Sequence, residues 1–336
     1  MMSRRRALLR VVVVGLIAAS ASGIAQTQSK VYRLGYASLR AGPAAPDEAF
    51  VQGLRELGYV VGRNLIIEYR WGENDMTRFQ MQVNELVRLN VDVIVTSATP
   101  AVRAAMRATK TIPIVIAAAI DPVGTGLVSN LAHPGGNVTG MSLRSNDLAQ
   151  KRLQLLRELL PSVSRVAVLG SQGPDAASVP TDQRPADRLV GETQAAGSRI
   201  SVDVSAYIVG AAAELPQAFA QMKRDGVQAV IVQQGALTFQ HRGEIPDMLS
   251  RDSLPAMYEG RDFVDAGGLV SYGPDVRESY RRAARYVDRI FKGANPGDLA
   301  IEQPTKFELV ISLKAANALG LTVPQALLLR ADEVIQ

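Results

Sequence analysis

The chain has 336 residues, 47% of them hydrophobic and only 5% aromatic, with a formal net charge of +5. Compact domains rarely exceed about 250 residues, so two cores are expected. There is no cysteine, which excludes disulfides, thiolate metal sites, cysteine nucleophiles and a lipid-modified N-terminal cysteine. With two histidines, His133 and His241, a histidine-rich metal site is not expected either.

The first 25 residues read as an export signal. Arg4, Arg5, Arg6 and Arg10 form a basic region, Val11 to Ala19 an apolar one, and Gly23-Ile24-Ala25 a small-residue cleavage site. The apolar run falls short of the about 20 residues needed to span a bilayer. Ser3-Arg4-Arg5 resembles a twin-arginine signal, yet Ala7 stands where a bulky apolar residue is usual, so general secretion is expected. Removing the signal takes four positive charges with it and leaves the mature chain near +1. Nucleic acid is therefore not implied as a partner.

Next comes a strand at Val31 to Ala37, then a helix marked by Phe50, Leu54 and Leu57. A second strand follows at Asn64 to Trp71 and a second helix along Met76, Phe79, Val83, Leu86 and Val87. Val91 to Thr96 and Ile112 to Ile120 are continuous apolar runs, as in strands buried on both faces. Between them Thr99 is a candidate N-cap, with Pro100 at the first helical position. Asp121-Pro122 breaks the second run, and Pro134-Gly135-Gly136-Asn137 introduces another extended segment, Val138 to Leu143.

The βα alternation restarts after Ser142. It gives a helix through Leu155 and Leu159, strands at Arg165 to Gly170, Ile200 to Tyr207 and Val227 to Gln233, and a helix from Phe239 to Leu249 kinked near Pro246. Short strands follow at Pro255 to Tyr258 and Gly268 to Tyr272, then a striped helix through Tyr280, Ala284 and Val287. A last helix carries Leu309, Leu313, Ala316 and Leu319. Such alternation predicts an α/β fold with parallel, right-handed βαβ sheets in two series.

Several stretches, in order, resemble one family. They include Leu57-Gly58-Tyr59 with Gly62-Arg63-Asn64, Ile67 to Trp71, Asp121 to Leu127, and Pro134 to Gly140. Further on come Leu254 to Glu259, Ser271-Tyr272-Gly273, Pro304 to Ile311, and Ala318 to Pro324. The chain is similar to ABC-transporter substrate-binding proteins of the tryptophan- and tyrosine-binding kind. The resemblance covers nearly all of the mature chain. It implies a type I periplasmic binding protein fold: two Rossmann-like lobes with parallel sheets, joined by crossing hinge strands. Residues 30–142 plus 273–301 are expected in the N-terminal lobe, and 143–272 plus 302–336 in the C-terminal lobe. Pro134 to Ser142 is expected to make the first crossing. The implied protein is a periplasmic, monomeric receptor of an amino acid or related carboxylate. Its partners would be the small-molecule ligand and ABC permease subunits, with membrane contact only through the permease. The other reading is a ligand-binding sensor or adaptor for a membrane signalling protein.

Ligand should bind at strand C-termini. Ser97, Ala98 and Thr99 precede a helix and offer backbone N–H groups and hydroxyls to a carboxylate, though helix capping explains the same residue types. Tyr36 ends the first strand, as stacking surface or as core. Asp121 ends the fourth strand and either pairs with an amine or makes an Asp-Pro turn. Gln172, Gln234 and Glu259 follow strands of the second series. Tyr272 sits at the expected crossing, as hinge or contact. Val232-Gln233-Gln234-Gly235 lacks the acidic residue and proline expected in relatives, which leaves open a ligand without a free amine. No catalytic residue, metal or cofactor is expected. Gly124-x-Gly126 lacks the third glycine of a dinucleotide site, and there is no phosphate-binding P-loop or Gly-x-Ser-x-Gly elbow.

Overall fold

A computed structural model of the protein describes residues 30–143, 148–172, 177 and 179–336. The expected export signal and its cleavage site lie outside the described residues. Val31–Gln336 forms one unit built on two sheets.

The first sheet arises from β1 (Tyr32–Ser38), α1 (Ala45–Glu56), β2 (Leu65–Trp71), α2 (Met76–Arg88), β3 (Val93–Ser97), α3 (Thr99–Ala108), β4 (Ile114–Ile120) and β5 (Val138–Leu143). Its strands run parallel in the order β2-β1-β3-β4-β5. Both faces are covered. Phe50, Leu54 and Val95 pack on one side, and Phe79, Leu86 and Ile94 on the other. Burying each such side chain contributes about 1.5–3 kcal/mol, which is why β3 and β4 carry uninterrupted apolar runs.

The second sheet is made by α4 (Leu148–Leu159), β6 (Arg165–Ser171), α5 (Pro185–Ser198), β7 (Asp203–Val209), α6 (Leu215–Arg224), β8 (Ala229–Val232), α7 (Ala236–Gln240), α8 (Glu244–Arg251), β9 (Ala256–Tyr258), α9 (Arg261–Asp265) and β10 (Val270–Pro274). The chain then leaves it. Helix α10 (Val276–Phe291) packs against α1 and beside β4 and β5 of the first sheet. A Cβ on Gly53 would lie 2.5 Å from the Arg281 carbonyl oxygen, so only glycine permits so close an approach of α1 to α10. The chain returns to the second sheet with β11 (Phe307–Ser312), α11 (Leu313–Ala318), α12 (Gln325–Leu328) and β12 (Glu333–Ile335). The order is β12-β11-β10-β9-β8-β6-β7.

Four sequence expectations differ from what forms. Strand β11 pairs antiparallel with β10, against the all-parallel expectation. The excursion through α10 brings the chain back from the other lobe, so it enters the sheet from the opposite end. Leu309 lies in β11 rather than in the last helix, which begins only at Leu313 with Ser312 accepting from the Ala315 N–H. The Phe239–Leu249 helix is two helices broken at residues 241–243, and Pro246 sits in the first turn of α8, where its missing N–H costs nothing. Val138 to Leu143, expected as crossing chain, is a full strand of the first sheet beside β4. The chain passes to the second sheet only after Leu143. On its other side Met141 bridges Glu302, with Ser142 N to Glu302 O at 2.8 Å and Glu302 N to Gly140 O at 3.0 Å.

Candidate ligand-binding cleft

The C-terminal ends of strands from both sheets meet at one cavity of about 230 Å³. From the first sheet come Ser38, Leu39 and Arg40 after β1, Ser97 to Pro100 at the β3–α3 junction, and Ala118 to Ile120 at the end of β4. From the second come Ser171 and Gln172 after β6, Gln183 to Ala186 at the start of α5, and Gln233 to Leu237 with Phe239 around α7. Tyr280 of α10 closes the back.

The β3–α3 junction carries the first feature. Ala98, not Thr99, is the residue preceding the helix, with φ 66°, and no side chain caps it. Non-glycine residues in that region cost of order 1–3 kcal/mol and cluster at binding sites. The consequence is that Thr99 is released from capping. Its hydroxyl is buried with no hydrogen-bond partner, although the side chain lines the cleft. In the first turn of α3 Ala98 N donates to Ala118 O at 2.8 Å and Pro100 has no N–H, which leaves those of Thr99 and Ala101 without an intrahelical acceptor.

Behind this wall lies a hydrogen-bonded layer. The Tyr36 hydroxyl donates to Asp47, which also accepts from Arg40 and from the Ala44 N–H at 2.6 Å. Tyr280 is buried beside Tyr36, Arg40 and Ser97. Burial pushes both phenols up, so they remain protonated at neutral pH. The layer fixes Arg40, whose guanidinium lies 5.8 Å from the Trp71 ring and 5.9 Å from that of Phe239. Trp71 belongs to the first sheet and Phe239 to α7, so Arg40 is held between aromatic rings of the two lobes.

Residues 44–335 match the family described as ABC transporter substrate binding protein. The chain belongs to that family. This substrate-binding protein is 24% identical over 289 residues to a tyrosine-binding protein of Clostridioides difficile (strain R20291), covering 85% of this chain and 80% of the relative. Its structure is similar to that of an ABC domain from Streptococcus pneumonia in complex with L-Trp. The TM-score is 0.82 at 26% identity, covering 91% of this chain and all of the other. A conserved domain protein of Vibrio cholerae matches as well, with TM-score 0.82, 27% identity and the same coverage. Members of this family are substrate-binding proteins rather than enzymes. The architecture is the type I periplasmic binding protein fold.

Within the substrate-binding protein, five of the nine residues singled out from sequence line the cleft: Ser97, Ala98, Thr99, Gln172 and Gln234. The other four do not. Tyr36 is 2% exposed and sits one layer behind, as the core alternative supposed. Glu259 is buried against Arg152 of α4 at 2.6 Å and accepts from the Gln234 N–H at 3.0 Å. Tyr272 accepts at its carbonyl from Arg152 at 2.7 Å, and its ring lies tilted against Phe307, 6.3 Å between centroids. Asp121 turns toward the other lobe. It accepts from its own turn at Gly124 N, as an Asp-Pro turn does, and from Arg188 of α5 at 2.5 Å. Sequence reasoning missed Arg40, Arg103, Arg184, Phe239 and Tyr280, all of which line the cavity. For Arg103 a signal existed, because it lies four residues after Thr99 and so on the same helix face.

The Asp121–Arg188 pair joins the end of β4 to α5 of the second lobe. At 17% and 25% exposure it is worth about 1 kcal/mol, or roughly fivefold in the closed-to-open ratio. Arg188→Met is expected to loosen ligand binding by that factor, chiefly through faster dissociation. X-ray scattering of the ligand-free protein should show a larger mean radius of gyration. Unchanged dissociation and scattering would make the pair passive.

Proposed function

We propose that this protein is exported, captures a small organic carboxylate with a flat apolar body between its lobes, and hands it to an ABC permease. The observation carrying this reading is the Ser97-Ala98-Thr99 junction, which puts a helix N-terminus in the cavity wall opposite residues of the second lobe, with the buried Thr99 hydroxyl left unpartnered. Leu39, Met76 and Phe239 supply apolar walls. The relatives named for tyrosine and L-Trp support a ligand of that size and shape. Among the described residues no helix is long and apolar enough to cross a membrane, in keeping with contact through a permease.

Function follows from closure. Ligand touching both walls favours the arrangement in which Arg188 reaches Asp121 and Phe239 reaches Arg40. Trp71 is the only tryptophan. It stacks on Tyr69 at 5.8 Å and adjoins Arg40, so opening removes Phe239 from the far side of its neighbour. Titration with an aromatic acid library is therefore expected to change Trp71 emission saturably. At 100 times Kd the ligand should also stabilise the fold by about 2.7 kcal/mol, read by thermal shift. A library without one saturable responder would sink the receptor reading. Capture of the permease by the ligand-loaded protein, and not by the ligand-free form, tests delivery.

A further inference from the structure

We propose that Gly124-Thr125-Gly126 is the seat on which the second lobe closes, a strip of bare backbone that lets the ligand-free protein adopt the closed arrangement. This rests on the receptor reading above only in taking the two lobes to open and close. The Gly124-x-Gly126 spacing, which lacks the third glycine of a dinucleotide site, thereby acquires a mechanical use.

The first-lobe half is built before the lobes meet. Residues 121–127 form a turn closed by their own backbone. Thr125 N donates to Asp121 O at 2.9 Å, Gly126 N to Val123 O at 2.9 Å, and Leu127 N to Pro122 O at 2.8 Å. The buried Thr125 hydroxyl donates to Asp121 O at 2.8 Å. Arg103 of α3 donates to the Thr125 carbonyl, which ties the turn to the helix at the cavity wall. The second-lobe half is built in the same way. Gln183 ends a single 3-10 turn, Thr181–Gln183, just ahead of α5. Arg188, in the first turn of α5, donates back to the Asp182 carbonyl at 3.3 Å.

The two halves touch at the glycines. A Cβ on Gly124 would lie 2.6 Å from the guanidinium carbon of Arg188 and would also strike the Asp121 carboxylate that Arg188 reaches. A Cβ on Gly126 would lie 3.0 Å from Gln183 Oε1. A side chain at 124 therefore holds the lobes apart or expels Arg188 from its place beside Asp121. Gly126 has φ 69°, so its turn also selects glycine, whereas Gly124 lies outside the left-handed region. The missing side chain at 124 thus serves the contact and not the backbone. Gln183 lines the cavity as well, so the seat and the ligand chamber share a wall. Arg188 and Gln183 act as positioning residues for closure.

The test is small-angle X-ray scattering of the full mature chain without ligand, fitted as closed and open populations, for wild type, Gly124→Ala, Arg188→Met and the double variant. Gly124→Ala is expected to lower the closed-to-open ratio at least about fivefold. Its melting temperature should not change, since alanine takes the Gly124 backbone without strain. In the Arg188→Met background the same substitution should change the ratio less than about twofold, because the side chain it displaces is gone. Gly126→Asn gives a second variant. Asparagine tolerates positive φ, and its added side chain meets Gln183, so it should also open the protein. An unchanged ratio in both glycine variants, or a wild type without a closed population, would overturn the proposal and leave the receptor reading to its own titrations. A full loss on adding Gly124→Ala to Arg188→Met would overturn it too, by placing the effect inside the first-lobe turn.

Discussion

Arg152→Met is expected to lower stability by about 3–5 kcal/mol, the usual cost of leaving one partner of a buried ion pair alone. Arg152 is 1% exposed and Glu259 4%. The guanidinium bonds Glu259 Oε1 at 2.6 Å and the Tyr272 carbonyl at 2.7 Å. Burial draws the Arg152 guanidinium down, and Glu259 draws it back up. Methionine fills a similar volume but leaves a carboxylate in the core beside an unpaired carbonyl. The double replacement with Glu259→Gln is expected to recover a large part of the loss, since the stranded charge disappears. Urea midpoints of the two single variants and the double variant form the cycle that measures this. Additive losses would mean that the two side chains act independently. Binding should suffer in the single variants too. The other oxygen of Glu259 holds the Gln234 N–H at 3.0 Å, and Gln234 lines the cleft. The pair therefore ties α4, the end of β10 and the second-lobe wall into one piece.

That arrangement shows what a sequence conceals. Glu259 follows a strand of the second series and stands where a ligand contact is expected. Its partner, Arg152, lies 107 positions earlier, next to Lys151 in α4. Local pattern carries no sign of a buried arginine, because its burial depends on a partner brought in by tertiary structure. Continuous apolar runs such as Ile114 to Ile120 were legible because two-sided burial leaves a local mark. The β3–α3 junction was legible as a helix start at a strand end, marked by Ser97, Thr99 and Pro100. Its key property was not. That Ala98 takes the position before the helix at φ 66° and leaves Thr99 uncapped follows from how β3 meets β4, where the register shifts after Thr96. The C-terminal strand was misread because Leu309, Leu313 and Ala316 happen to fall at helical spacing. Only pairing with β10, after the detour through the other lobe, settles Phe307–Ser312 as a strand.

The detour also sets the second large effect. Gly140→Ala is expected to destabilise the protein by at least about 3 kcal/mol, combining a strained backbone with overpacking against main chain. Gly140 has φ 133°, a region that L side chains rarely adopt. A Cβ there would lie 2.2 Å from the Ile116 carbonyl oxygen and 2.6 Å from its nitrogen. Those are atoms of the neighbouring strand β4, so no side-chain rotation relieves the contact. Displacing β5 instead would pull Gly140 O and Ser142 N away from Glu302, the backbone bonds that tie β5 to the chain returning toward the second lobe. The loss should therefore appear in two measurements. Denaturant midpoints should fall, and hydrogen exchange at Ser142 and Glu302 should accelerate more than at Val95 in the centre of the first sheet. Equal acceleration at all three would reduce the effect to a global loss of stability. Selective acceleration would mark Gly140 as the point where close strand packing keeps two of the lobe-connecting segments in register.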